Sequence, residues 1–87
     1  MNAPVITITS GVANWTAPST APASWFLCPV FQDGSITHET VNYLIELDGS
    51  ITSQDVSFLG TGQYLKFFGV DASNGIFLTP TISSNST

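Results

Sequence analysis

The chain has 87 residues, a length that fits one domain, and only 8% of them are charged, with a net charge of −5. Lys66 is the only Lys or Arg, so the chain lacks the clustered basic side chains that bind phosphate backbones or anionic membranes. We therefore expect no nucleic-acid partner and no membrane partner, and no apolar run approaches the roughly 20 residues of a membrane-spanning helix.

The surface is expected to be rich in hydroxyl groups and poor in charge. Apolar residues make up 43% of the chain, and it contains 11 Ser and 11 Thr. A domain of this size buries only about 60% of the surface that its unfolded chain exposes, and a single cysteine, Cys28, provides no intrachain disulfide. Because few charges would keep neighbouring molecules apart, we expect the protein to associate.

The first predicted strand covers residues 4–10, where Ile6 and Ile8 alternate with Thr. This period of two, with β-branched residues, is typical of a strand that buries one face. Residues 11–24 follow and are rich in Ala, Ser, Thr and Pro, so we predict an extended N-terminal arm or an ordered loop there. Trp15, within this segment, is a candidate anchor onto another surface.

Residues 25–31 are apolar on both faces. Such a run predicts a strand that is covered on both faces, either by the protein's own core on each face or by the core on one face and a partner on the other. Pro29 cannot donate a ladder hydrogen bond, so the prediction is an edge strand, or a bulge at that position. Cys28 is expected to be an inert, buried thiol.

Four further strands are predicted, at residues 41–47, 55–59, 63–70 and 76–79. In the first of these, Val41, Tyr43, Ile45 and Leu47 are expected to share one face. In the second, Val56 and Phe58 are expected to point inward. Turn residues separate the later strands, and no segment of ten residues or more keeps the apolar spacing of a helix.

The predicted fold class is therefore all-β: a small antiparallel sandwich or barrel of about six or seven short strands with an extended N-terminal arm. Turns are expected at residues 60–62 and 71–75, where Gly and Asn are frequent. We predict a single domain over residues 1–82, followed by a flexible C-terminal tail at 83–87.

A five-residue repeat, Asp-Gly-Ser-Ile-Thr, occurs at residues 33–37 and again at 48–52. Asp-Gly supplies the positive φ of a tight turn, and the Asp and Ser side chains can bond to nearby backbone. We interpret the repeat as two similar hairpin turns in one sheet. A fibre-like array, which usually needs three repeats, and a calcium site built on Asp33 and Asp48 are the alternatives, although no Asp-x-Asp pattern is present.

We expect no catalytic site, no cofactor and no metal site. His38 is the only His and lies in a polar stretch that is predicted to be solvated. The one thiol that could pair with it, Cys28, lies in an apolar run, where burial raises its pKa and leaves it unreactive. One His and one Cys do not form a usual structural zinc site, and no Gly-rich phosphate loop precedes a helix. We therefore predict that the protein is not an enzyme.

Lys66 and the large aromatic residues are the candidates for contact with a partner. Lys66 lies in an apolar strand and is interpreted as an edge-strand Lys that blocks unwanted pairing, or alternatively as half of an ion pair with a neighbouring subunit. Trp and Tyr are enriched at the energetic centres of interfaces. The interface candidates are Trp15, Trp25, Phe31, Tyr64, Lys66 and Phe68.

The arm around Asn14-Trp15-Thr16-Ala17-Pro18, the paired Asp-Gly-Ser-Ile-Thr turns and the near absence of charge resemble the small virion accessory proteins of tailed bacteriophages. These include capsid decoration or cement proteins and short tail or fibre modules. The resemblance implies a virion location and a homo-oligomer, with a trimer favoured. It also implies a non-catalytic role in which the subunit packs onto the major capsid protein or another virion protein.

The alternative function is a carbohydrate- or receptor-binding module of a tail fibre or spike. Such a module would present two or three exposed, coplanar aromatic rings beside polar groups. The candidates for these rings are Trp15, Trp25 and Tyr64.

Overall fold

The computed structural model describes residues 1–73 and 75–85, which form a sandwich of two antiparallel sheets. The elements in chain order are β1 (Thr7–Thr9), β2 (Val12–Asn14), β3 (Ser24–Val30), α1 (His38–Asn42), β4 (Ile45–Asp48), β5 (Ser53–Asp55), β6 (Tyr64–Val70) and β7 (Ile76–Ser84). One sheet has the order β1-β2-β5 and the other β4-β3-β6-β7. The predicted all-β antiparallel sandwich is confirmed, and the described strands do not close into a barrel.

The hydrophobic core lies between the two sheets. From the four-stranded sheet, Trp25 and Phe67 are fully buried, and their rings stack with centroids 4.5 Å apart. Trp15 packs against both of these rings, with its centroid 4.7 Å from that of Phe67. Ile6 and Ile8 are buried on the side of the three-stranded sheet, as their alternation with Thr predicts.

The segment 11–24, predicted as an arm or loop, contains a strand of the sandwich. Val12–Asn14 pairs with β1 on one side and β5 on the other, so it is the central strand of its sheet. Trp15 follows directly, donates its backbone N–H to the Thr52 carbonyl and is buried in the core. The part of residues 11–24 that forms no strand is therefore shorter than predicted. The strand that precedes it, β2, is hydrogen-bonded to β1 on one side and to β5 on the other.

Strand β3 is a central strand, paired with β4 and β6, and this corrects the prediction of an edge strand. Its ladder to β4 ends at Leu27, whereas its ladder to β6 continues through Pro29 to Val30. Pro29 is thus tolerated because it lies beyond the last residue paired with β4, where no β4 residue needs its missing N–H.

The prediction of a strand over residues 41–47 is wrong in its first half, because residues 38–42 form the short helix α1. The Thr37 side chain accepts hydrogen bonds from the backbone N–H groups of Glu39 and Thr40, and the Thr40 hydroxyl accepts one from the Thr37 N–H. This reciprocal capping satisfies the first free N–H groups of a helix. Val41 is consequently 79% exposed and does not share a face with Leu47.

The predicted strand at 55–59 is displaced, since β5 ends at Asp55 and residues 57–59 form a turn. Val56 is nevertheless fully buried and Phe58 packs against the core, so the inward direction of both side chains is confirmed. At the other end, the predicted tail begins too early. Ser83 and Ser84 lie in β7, and Asn85 is buried and donates from its side chain to the Leu59 carbonyl; residues 86 and 87 lie outside the described part.

Four turns share one hydrogen-bonded arrangement, Asp-x-Ser, of which the sequence repeat showed only two. In each, the Asp Oδ1 accepts the backbone N–H of the Ser two residues later, at 2.8 to 3.0 Å. The four pairs are Asp33 with Ser35, Asp48 with Ser50, Asp55 with Ser57, and Asp71 with Ser73. Hydrogen bonds donated within the turn, chiefly by Ser, hold the pKa of each Asp below its ordinary value of 3.8.

These lowered pKa values predict a loss of stability in acid. A carboxyl whose pKa is lower in the folded state stabilises the fold above its unfolded pKa, and that contribution disappears as pH falls through the folded pKa. We expect the thermal midpoint to begin falling as pH drops below about 4, and to fall further down to pH 2.

The matched control for this loss of stability in acid is a variant in which all four Asp residues are replaced by Asn. Asn can accept the same hydrogen bonds but cannot be protonated in this pH range. Thermal unfolding followed by circular dichroism from pH 7 to pH 2 should show a shallower fall for this variant. If the thermal midpoint of this variant falls as steeply with pH as that of the native chain, the four Asp turns are not the cause of the loss of stability in acid.

Candidate interaction surface

The outer face of the four-stranded sheet is the side turned away from the core. Since successive residues of a strand point to opposite faces, the inward side chains of Trp25 and Phe67 place their neighbours Phe26, Lys66 and Phe68 on this outer face. Cross-strand pairing adds the remaining positions. The outer face includes Ser24, Phe26, Cys28 and Val30 of β3, Tyr64, Lys66, Phe68 and Val70 of β6, Glu46 and Asp48 of β4, and Ile82 of β7.

The centre of the outer face is an aromatic pair with a cation beside it. Phe26 and Phe68 are cross-strand partners and stack with centroids 5.4 Å apart and planes 11° from parallel. The Lys66 Nζ lies 5.9 Å from the centroid of the Phe68 ring, within the range of a cation–π contact. Both rings remain half-buried, so part of each is open to solvent.

Lys66 does not lie in an edge strand, because β6 runs between β3 and β7. The interpretation of Lys66 as an edge-blocking residue is therefore wrong. Among the described residues, the one ion-pair contact is between neighbouring His38 and Glu39, at 3.8 Å, so Lys66 has no carboxylate partner there. Its pairing with a neighbouring subunit stays a prediction.

Cys28 lies opposite Lys66 in the β3–β6 ladder and is buried. Burial raises the pKa of its thiol, and the nearby charge of Lys66 partly opposes this effect. The thiol is therefore held in its protonated, weakly nucleophilic form. The prediction that Cys28 is buried is confirmed.

One end of the outer face is bordered by the loop between β3 and α1. Ile36 forms an isolated bridge with Val30, and a Cβ built on Gly34 would lie 3.4 Å from Ile82 Cδ1. The loop thus folds back against the sheet. Phe31 in this loop is 57% exposed, and Ile82 is 39% exposed, so apolar surface continues beyond the central aromatic pair.

A pocket of about 520 Å³ opens at this same end, where β3 ends and β6 begins. Its apolar lining includes Phe31, Phe58 and Tyr64, and its polar side includes His38 and Glu39. The side chain of His38 is 92% exposed, which confirms the predicted solvated His, although it lies in α1 rather than in a loop.

The structure divides the six predicted interface residues into two groups. Phe31, Tyr64, Lys66 and Phe68 lie on the outer face or at its border. Trp15 and Trp25 are buried in the core, so they cannot contact a partner while the fold is intact. The three coplanar rings required by the carbohydrate-binding alternative are therefore not formed by the residues predicted for them.

Sequence reasoning missed Phe26, Glu46 and Ile82 as members of the outer face. A signal for Phe26 was present, because the run 25–31 is apolar on both faces. Assigning Glu46 and Ile82 to the same face requires the strand order and register, which come only from the structure.

The described residues contain no group of three or more His, Cys, Asp or Glu side chains that could hold a metal ion. Nor does any helix within residues 1–73 and 75–85 have the length and apolar character needed to cross a membrane. No protein-family model, no curated protein and no solved structure matches the chain. Its function has therefore to be inferred from the chemistry of its own surface.

Proposed function

We propose that this protein is a non-catalytic structural subunit that assembles by packing the outer face of its four-stranded sheet against another protein surface, first of all a copy of itself. The observation that carries the proposal is the half-buried Phe26–Phe68 pair, with Lys66 beside it, on the side of the sheet opposite the core. In an antiparallel sheet with one solvated face, that face is normally polar.

The size of the molecule fits such a contact. Its principal extents are 31 × 23 × 19 Å, so one broad side is comparable with the about 800 Å² per partner that a standard interface buries. Each Å² of apolar surface removed from water contributes about 25 cal/mol. This gain has to exceed the roughly 4–15 kcal/mol that association costs in lost freedom, so most of the outer face has to take part.

The finer proposal places this subunit in a virion, as a decoration or cement protein on major capsid subunits. It rests on the resemblance in composition and turns to virion accessory proteins, and the scarcity of charge suits a surface that is covered in an assembly. Particles lacking the protein should lose their integrity at a lower temperature than complete particles. Equal heat resistance with and without it would contradict the cement role.

A substitution in the centre of the outer face tests the assembly role itself. We expect Phe68→Ser to weaken self-association at least about tenfold, equivalent to about 1.4 kcal/mol, because it removes one ring of the stacked pair. The association constant would be measured by sedimentation equilibrium, with circular dichroism to verify that the variant is folded.

The matched control is Val12→Ser, the same kind of change at an exposed residue of the three-stranded sheet. It should leave self-association unchanged. If the Phe68→Ser variant remains folded and associates as tightly as the Val12→Ser variant, the outer face is not the surface through which the protein self-associates.

A further inference from the structure

We infer that the outer face pairs with the same face of a second copy across a twofold axis, so that Glu46 of each copy faces Lys66 of the other. The inference rests on the proposed function, assembly through the outer face, and adds to it the partner, the symmetry and the register. The assembly would then contain two copies and not the three that the resemblance implies, because a contact with twofold symmetry is complete in a dimer.

The register of the sheet sets the positions of the two charges. Glu46 of β4 is paired with Phe26 of β3, and Lys66 of β6 is paired with Cys28 of β3. The two charged residues are therefore two strands apart, about 10 Å, and are offset along the strands by two residues, about 7 Å. This separation explains why they do not pair within one molecule.

The midpoint between these charged residues lies on β3, between Phe26 and Cys28. Consider a twofold axis that passes over this point, parallel to the sheet and perpendicular to the line from Glu46 to Lys66. Rotation about it places each Glu46 over the other copy's Lys66, and it brings the Phe26 rings of the two copies together near the axis. One face thus supplies both halves of two ion pairs and the apolar contact between them.

The charge distribution favours a second copy as the occupant. The chain has one Lys and no Arg, so an ion pair between two copies that uses a permanently charged basic side chain must use Lys66. Two carboxylates of β4 lie on that face by strand alternation, Glu46 and Asp48. Asp48, like the other three Asp side chains of the turns, accepts hydrogen bonds from its own turn, which leaves Glu46 as the candidate. Glu39 lies beside His38. Two copies with net charge −5 repel at long range, and the two Glu46–Lys66 contacts are where they attract.

Charge reversal tests this register. In Lys66→Glu, two Glu residues face each other at both contacts of the dimer, and in Glu46→Lys two Lys residues do. We expect each single variant to weaken the dimer at least about tenfold, equivalent to about 1.4 kcal/mol. The double variant should return to within about threefold of the native dissociation constant. All measurements would use sedimentation equilibrium at low ionic strength, where charge effects are largest.

Mixing the two single variants gives a sharper result. One has two acidic residues at these positions and the other two basic residues, so a heterodimer of them regains both ion pairs. We expect the mixture to associate while each variant alone remains mostly monomeric. Because an unfolded chain could not form this heterodimer, the mixture also excludes misfolding as the cause of the single-variant effects.

Glu39→Lys is the matched control, since it changes the net charge as Glu46→Lys does but lies outside the outer face. It should not weaken the dimer. If the native protein associates, but the single variants have no effect or the mixture fails to associate, the twofold register is wrong while assembly stands. A native protein of monomer mass at every concentration would contradict the proposed function itself.

Discussion

Trp25→Ala is expected to lower the free energy of unfolding by about 3–5 kcal/mol. The side chain is fully buried, stacks on Phe67 with planes 19° apart, and meets Trp15 edge-on with centroids 6.0 Å apart. Its Nε1 donates to the Gly49 carbonyl at 3.1 Å, so the truncation leaves both a cavity and an acceptor without its donor. Since small domains have a total stability of about 5–15 kcal/mol, a large fraction of that stability would be lost.

The matched variant is Trp25→Phe, which keeps an aromatic ring in the core but removes the N–H. It should cost less than the truncation, because only part of the ring volume and one hydrogen bond are lost. Urea unfolding followed by far-UV circular dichroism would measure both variants at one protein concentration. Equal losses for the Ala and Phe variants would show that ring packing at this position contributes little.

Gly49→Ala is expected to cost roughly 3 kcal/mol or more, combining a steric clash with a disturbed hydrogen bond. A Cβ on Gly49 would lie 2.8 Å from the Pro22 carbonyl carbon and closer still to its oxygen. Gly49 also donates its N–H to the Ala23 carbonyl and accepts from Trp25. The backbone at Gly49 or at Pro22 therefore has to move, and this movement disturbs the hydrogen bond from Trp25 Nε1 to the Gly49 carbonyl.

Gly60→Ala is the control for Gly49→Ala, because both substitutions reduce the freedom of the unfolded chain in the same way. A Cβ on Gly60 would meet only the flexible Gln63 side chain, at 3.4 Å. We expect this variant to stay within about 1 kcal/mol of the native stability. Comparable losses for the two variants in urea unfolding would contradict the close approach of the chain at Gly49.

Strong alternation or a continuous apolar run allowed several strands to be predicted from sequence. The strand over 63–70 and the buried Ile6 and Ile8 are examples. Residues 38–42 could not be predicted in this way, since five residues are too few to show a helical period. Their helix depends on a local device, the reciprocal hydrogen bonds between Thr37 and Thr40, and local capping outweighed the strand propensity of Val41.

The repeated pentapeptide shows how one local sequence meets two tertiary environments. The prediction of two hairpin turns in one sheet is wrong, because 33–37 connects β3 to α1 and 48–52 connects β4 to β5 of the other sheet. In both copies the Asp side chain nevertheless accepts a hydrogen bond from the nearby backbone, as predicted. Gly34 has the expected positive φ of 86°, whereas Gly49 has no positive φ and is needed for close chain approach. Val41 and Val56, each eight residues after the Asp of its copy, occupy different settings, because Val41 lies on the exposed helix α1 and Val56 lies in the core.

Part of the outer face could be predicted from sequence. The two apolar faces of residues 25–31 indicated a strand covered on both sides, and Lys66 was identified as a candidate for an ion pair with a neighbour. Choosing among the aromatic residues failed for Trp15 and Trp25, since both Trp rings fill the small core. Placing Glu46 on the same face as Lys66 requires strand order, which results from long-range pairing rather than from local pattern.

The mass of the native protein in solution, measured by light scattering across a concentration series, tests the central claim most directly. The claim is that the outer face around Phe26 and Phe68 is covered by a second molecule. We predict a mass that rises with concentration from 9.2 kDa to twice that value. A mass that stays at 9.2 kDa up to millimolar concentration would contradict it.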